Sequence, residues 1–302
     1  MFDRRRNLFA FGVIFASVSS QTVELGAQTT LRVGLVSAGS SAAAASIDRG
    51  VRLGALEAKQ TANLFAGDVQ LFEERSRGAP EAAARKLLSE RKVQVLIGSS
   101  AEDADALSRF AETHQIVFLN VASRSPALRA ACRRYTFHVE ASDSMYANAS
   151  VREAASRAAT NVVLWAATLE RYGASQINNR FRAKYQLPMD GGAWAGWVAV
   201  KIASEAALRV RSANPKLIRA FLENPSTSFD GHKGWPLSFR SSDHQLRQPL
   251  YVGSHTSPAT AAGFRDVPQL NALSGGGGAN ANAAQALDVL MPKSAPRCKW
   301  GH

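Results

Sequence analysis

Val93-Gln94-Val95-Leu96-Ile97 followed by Gly98-Ser99-Ser100 reads as a short buried strand that ends in a polar turn. Five residues with three β-branched side chains and no charge suit a strand covered on both faces, as parallel strands are. Working outward, 102–113 has the apolar spacing of a helix, and Ile116-Val117-Phe118-Leu119 is the next strand. Upstream, Pro80 opens an Ala-rich helix through residue 90, its missing N–H costing nothing in a first turn. Val69-Gln70-Leu71-Phe72 and Leu31-Arg32-Val33-Gly34-Leu35-Val36 are earlier strands. Between them Ser46 is expected to cap a helix apolar at Ile47, Val51, Ala55 and Leu56. Tyr135-Thr136-Phe137-His138-Val139 is a fifth strand. Short strands alternating with helices predict an α/β fold, a doubly wound parallel sheet.

After Tyr146 the alternation weakens. The spacing predicts helices over 150–159, 176–185 and 214–223, and a strand over 162–165. A long helix over 194–210 is apolar at Trp194, Trp197, Val198, Val200, Ile202 and Ala206. Short strands fall near Leu237-Ser238-Phe239 and Leu250-Tyr251-Val252, and the Gly-, Ala- and Asn-rich run 275–284 reads as a flexible loop.

Composition narrows the function classes. With 46% hydrophobic and 20% charged residues, the 302-residue chain is globular rather than disordered. Two cysteines exclude a disulfide scaffold and a four-cysteine zinc site. No apolar run approaches the roughly 18–20 residues of a membrane span. Arg4-Arg5-Arg6, the apolar run 8–16 and small residues at Leu25-Gly26-Ala27 match a cleavable export signal. No cysteine follows that run for a lipid anchor. Export predicts a periplasmic location. Removing 1–27 takes away three arginines and two acids, so the net charge of +12 belongs mostly to the folded part. That surplus favours an anionic partner, but it is dispersed, and no arginine-rich tract or helix-turn-helix pattern points to nucleic acid.

No catalytic constellation emerges. The histidines at 114, 138, 232, 244, 255 and 302 form neither HExxH nor an i, i+4 pair, so no metal site is expected. Ser37-Ala38-Gly39-Ser40-Ser41 follows the first strand but matches neither GxGxxG nor GxxxxGK[ST], and no GxSxG elbow occurs. These absences argue for a non-enzyme. Ligands of open α/β sheets bind outside the carboxyl ends of strands. Ser99 and Ser100 occupy one such end, and 120–125 is the equivalent turn after the next strand. Both serines also suit simple helix capping, so ligand crevice and cap stay open as readings.

Leu128, Cys132-Arg133-Arg134, Phe137-His138, Tyr172-Gly173-Ala174, Asn179-Arg180-Phe181, Trp194-Ala195-Gly196-Trp197 and the run GHKGWPLSFRSSDHQLRQP over 231–249 carry a resemblance. Met145, Gly263-Phe264 and Cys298 complete it. The chain resembles the type I periplasmic solute-binding proteins, the leucine/isoleucine/valine-binding class. More narrowly it is similar to the branch associated with pyrroloquinoline quinone-dependent alcohol oxidation. The resemblance implies that the Gly-Ser-Ser turn and the turn bearing Ala122 and Arg124 hold the ligand's polar head. Arg124 stands where the amino-acid binders have a small hydroxyl residue, which suits a more acidic ligand.

The family has two similar lobes. Between Met145 and Trp194 only about 50 residues are available, roughly three βα units fewer than a second lobe needs. The expected division is an export signal over 1–27, an intact first lobe over 28–144, a remnant of the second over 145–193, and 194–302 returning to the first lobe. Cys132 and Cys298 are the only pair in an oxidising compartment and predict a bridge, with two buried thiols as the alternative. The implied function is the receptor of an ABC-type importer working with an inner-membrane permease; the alternative is an accessory partner of a quinoprotein dehydrogenase. Pyrroloquinoline quinone, planar with three carboxylates, enters as a transported ligand rather than as a cofactor. Arg124, Ser99 and Ser100 would grip it, with Trp165 and Trp235 as stacking platforms or core.

Overall fold

A computed structural model describes residues 29–39, 41–154, 160–254, 264–266, 287–291 and 295–300; the segment 1–27 expected to be an export signal and the loop expected over 275–284 lie outside them. The strands β1 (Thr29–Ser37), β2 (Gly67–Arg75), β3 (Val95–Gly98), β4 (Val117–Asn120) and β5 (Thr136–His138) form one parallel sheet in the order β2-β1-β3-β4-β5. Their connections are α1 (Ala42–Asn63), α2 (Pro80–Arg91), α3 (Ala104–His114) and the short α4 (Pro126–Ala130). Side chains alternate between two faces. Val33, Leu35, Val95, Ile97, Val117 and Leu119 join one apolar cluster, whereas Val36, Leu96 and Phe118 join another with Leu87, Leu107 and Phe110 of α2 and α3.

The cap of α1 differs from expectation. Ser41 accepts from the Ala44 N–H at 3.1 Å and starts the helix, while Ser46 lies inside it and donates to Asp190 Oδ1 at 2.5 Å. Ser46 has a capping side chain, but the chain has already turned helical at Ala42, four residues earlier.

Beyond the sheet, α5 (Asp143–Ala154) starts well before the helix expected over 150–159, whose last five residues lie outside the described ones. Next come β6 (Thr160–Val163), α6 (Ala174–Tyr185), α7 (Gly191–Arg209), α8 (Pro215–Glu223), β7 (Phe229–Asp230), β8 (Pro236–Phe239), β9 (Leu246–Arg247), β10 (Tyr251–Ser254) and β11 (Phe264–Asp266). The second lobe is truncated. It consists of β6 paired antiparallel to β10, which pairs to β11, together with α6. Thus part of the segment expected to return to the first lobe instead completes this small sheet.

Helix α7 does return, and crosses α1 in backbone contact. Glycines make the approach possible: a Cβ on Gly54 would lie 2.7 Å from the Trp197 carbonyl oxygen, and one on Gly196 would lie 2.6 Å from that of Ile47. A Cβ on Gly50 would overlap the Ala193 carbonyl outright.

The remnant is locked to the first lobe. Trp165, after β6, stacks on Trp194 of α7 with ring centroids 5.8 Å apart and donates its indole N–H to Asn178 at 2.8 Å. The buried Lys233 ammonium sits 3.8 Å above the Trp194 ring and donates to Leu164 O (2.8 Å), Gln248 Oε1 (3.0 Å) and Pro249 O (3.0 Å). Cation–π contact and three acceptors together hold a charge that could not otherwise be buried.

The 231–249 run closes the outer edge of the sheet. Gln245 bridges in parallel to His138 of β5, and its amide donates to the carbonyls of His138 and Glu140. Cys132 and Cys298 are disulfide-bonded, with Cα atoms 5.4 Å apart. The bridge holds the tail on this run, where Cys298 N–H donates to Ser242 O and the Trp300 ring stacks on His244.

Candidate functional site

Ladder register aligns the strand ends. Val36, Gly98, Asn120 and His138 stand side by side on β1, β3, β4 and β5, so the turns that follow them share one crest. β1 and β3 flank the point where the strand order reverses, the usual ligand crevice of such sheets.

Ser99 is buried and ties two of these turns together: its hydroxyl accepts from Ala38 N–H at 3.0 Å, and its own N–H donates to Val36 O. Ser100 serves locally, accepting from the N–H groups of Glu102 and Asp103 and donating to the Glu102 carboxylate at 2.5 Å. Capping therefore accounts for Ser100, while Ser99 shapes the crest.

Asn120 builds the next turn. Its Oδ1 accepts from Ala122 N–H (3.4 Å) and Ser123 N–H (2.9 Å), and its amide donates to Ser123 O and to His138 Nδ1 at 3.2 Å. This side-chain turn presents Ala122, partly buried, and Arg124. Arg124 is half exposed, its guanidinium 4.0 Å over the Tyr146 ring and its Nε 3.7 Å from Glu140 Oε1. Tyr146 donates its hydroxyl to the same carboxylate at 2.7 Å. Burial pushes the Glu140 carboxyl up, and the Arg124 guanidinium opposes that shift. The arginine is thus held flat on an aromatic ring beside a buried acid, with its outer edge to solvent.

Behind the turn, Arg129 is buried and fixes the backbone. It donates to Gln245 Oε1 (2.8 Å), Ser123 O, Ser125 O (2.9 Å) and Glu140 O (2.7 Å). Burial lowers its pKa to about 10, so it stays charged at neutral pH. Sequence reasoning missed Asn120, Arg129, Glu140 and Tyr146 as a group. An Asn directly after a strand was a usable signal for a side-chain turn, whereas nothing in the sequence marked Arg129 as buried.

Two expected platforms stand differently. Trp165 is core, enclosed by Trp194 and Tyr251, and offers no open face. Trp235 is partly buried and packs against the same core.

The network titrates. His138 accepts at Nδ1 from Asn120, and burial holds it neutral, well below the ordinary histidine range. Burial also lowers His244 to about 4, even though Glu223 lies 3.6 Å away. Both groups bind protons more readily unfolded than folded, so their stabilisation is complete above about pH 6.5 and lost as pH falls through the folded values. Glu140 acts in the opposite sense, favouring the folded state below about pH 4.5. We expect the two histidines to dominate. Urea unfolding should show stability dropping by about 3 kcal/mol for the His244 contribution alone between pH 7 and pH 4. His244→Phe should flatten that profile; an unchanged profile would contradict the assignment.

Residues 30–176 match the family model of the periplasmic binding proteins. A search of curated protein sequences found no match. Among solved structures, a branched-chain amino acid ABC transporter periplasmic ligand-binding protein from Burkholderia xenovorans superposes with a TM-score of 0.70 at 12% identity, covering 90% of this chain and 99% of that one. The branched-chain amino acid transporter substrate-binding protein of Streptococcus pneumoniae, solved with isoleucine, gives 0.64 at 14%, covering 79% and 99%. A solute-binding protein of Rhodopseudomonas palustris, solved with benzoate, gives 0.63 at 15%, covering 79% and 95%. Residues 30–176 thus carry the sequence pattern of the periplasmic binding proteins, and the chain has the type I fold of the solved branched-chain amino acid binding proteins, with its second lobe truncated.

Proposed function

We propose that the chain is a periplasmic solute-binding protein, the receptor component of an ABC-type importer, and that it takes a small anionic solute rather than a plain amino acid. The observation that carries this is Arg124, half exposed in the turn after β4 and held flat over Tyr146 beside Glu140. A guanidinium whose rotamer is already restrained loses less entropy on gripping a carboxylate through two parallel hydrogen bonds. Ser99 contributes by holding the neighbouring turn. Pyrroloquinoline quinone is the ligand we assign first: its carboxylates match the arginine, and the structural relatives include one solved with an aromatic carboxylate, benzoate.

The small second lobe favours a further reading as an accessory protein of a periplasmic quinoprotein alcohol dehydrogenase. The Trp165–Trp194 stack and the Lys233 clamp hold that lobe against the first, which suits a rigid surface for a protein partner more than a clamshell that opens and closes. Fluorescence titration with the quinone tests the first reading. We expect micromolar or weaker affinity, and Arg124→Ala should weaken it about tenfold, the value for a half-exposed charged contact rather than a desolvated one. No quinone binding together with copurification of a dehydrogenase would favour the accessory role.

A further inference from the structure

Away from the crest, a cavity of about 780 Å³ opens at the carboxyl ends of β1 and β2, walled by the first turns of α1 and α2. It lies one strand away from the point where the order reverses, and Ser99, Ser100, Ala122 and Arg124 are not in its lining. Its charges do not cancel. Glu73 is taken by Arg52 through two bonds of 2.8 and 2.5 Å, and Glu74 by Lys86 at 2.8 Å. Arg49, Arg75 and Arg77 also line the cavity, and among the described residues none has a carboxylate partner. Against these three guanidiniums stands one acid, Asp48. It is only 4% exposed; its Oδ2 accepts from Ser37 at 2.5 Å, while its buried Oδ1 has no hydrogen-bond partner.

The α2 end adds a second anion-favouring feature. Its N-cap is Ala79, which offers no side-chain acceptor to the first-turn N–H groups, and Ala79, Ala82 and Ala83 face the cavity. Ala79 N–H is taken by Ser76 O, Pro80 has no N–H, and the N–H groups of Ala82 and Ala83 turn to Ala79 O, so this end favours an anion through its partial positive charge rather than through a row of free donors. The first-turn acid Glu81 is not in the lining and lies 4.0 Å from Arg109. The preceding loop is wound through left-handed conformations at Arg77 (φ 45°) and Gly78 (φ 80°), which swings it over the α2 start.

We propose that this cavity is a second binding site, for a small phosphate monoester carrying a hydroxyl group. The phosphate would rest between the α2 N-terminus and Arg75 and Arg77, with Arg49 on the α1 side. The hydroxyl would donate to Asp48, since a buried carboxylate oxygen without a partner is costly until a donor reaches it. A cavity of this size exceeds what a bare oxyanion fills and falls within the range of small-molecule sites.

Calorimetric titration of the full chain with glycerol 3-phosphate tests this, with sodium sulfate and glycerol as separate arms. Saturable binding of glycerol 3-phosphate, tighter than sulfate, is expected, with no binding of glycerol. Arg75 and Arg77 are exposed, so the double variant Arg75→Ala/Arg77→Ala should keep its fold by circular dichroism and bind about tenfold or more weakly. Asp48→Asn should bring glycerol 3-phosphate down to the level of sulfate. Absence of saturable binding, equal binding of sulfate and glycerol 3-phosphate by the unaltered chain, or an unaffected arginine variant would each overturn the proposal. None of these outcomes bears on Arg124 and the crest.

Discussion

Gly50→Val should leave little folded protein at 37 °C. Gly50 lies where α1 meets α7, and even a methyl group there would overlap the Ala193 carbonyl. The obstacle is backbone, which cannot rotate away, so the helices would have to separate. Gly54 and Gly196 make the same contact elsewhere, with prospective Cβ positions 2.7 and 2.6 Å from carbonyl oxygens. Separation would open the core between α1 and α7, where Val51, Trp197 and Val200 are buried. Overpacking usually costs about 1–3 kcal/mol, and an unyielding backbone contact belongs above that range. Thermal unfolding of the purified variant checks this; a melting temperature within a few degrees of the unaltered chain would show that the helices do not cross so closely.

Removing the disulfide should be the other large change. Cys132 and Cys298 are 166 positions apart, so the bridge restricts a very long loop in the unfolded chain. The loop-entropy model gives about 4–5 kcal/mol for loops of this order, with wide scatter. The tail is also held by Cys298 N–H to Ser242 O and by Trp300 stacked on His244, contacts that the bridge keeps at high local concentration. Cys132→Ser/Cys298→Ser should therefore lower the melting temperature by about 10 °C. It should also expose Trp300 to quenchers, and a non-reduced digest of the unaltered chain should yield the linked peptides. Two freely alkylated thiols would end this account of the tail.

The five-stranded sheet was legible because each buried parallel strand is a run of β-branched and large apolar residues, as at Val95-Leu96-Ile97-Gly98. Shortage of chain between Met145 and Trp194 likewise announced the truncated lobe, since too few residues remain to cover a second sheet. The α1–α7 crossing was not legible. Gly50, Gly54, Gly192 and Gly196 have helical spacing, but that pattern does not say which helix will meet which. The cap falls at Ser41 rather than Ser46 because several nearby serines carry a capping hydroxyl, and the sequence pattern alone does not choose among them. Burial of charge was hidden too. Arg129 and Lys233 look like surface residues until the 231–249 run folds back and supplies Gln245 and Gln248. Trp165 illustrates the same limit, since an aromatic ring suits a platform or a core until its neighbour Trp194 is placed.

If the chain takes an anionic solute as proposed, the truncated second lobe is expected to stay still while the first-lobe turns engage the ligand. Hydrogen exchange of the full chain with and without saturating pyrroloquinoline quinone distinguishes the two outcomes. Added protection is expected only in the turns at 98–100 and 120–126, with α6 (Ala174–Tyr185) and β6 (Thr160–Val163) unchanged. Ligand-induced protection spreading through β6 and α6, with the first-lobe turns unaffected, would contradict that expectation.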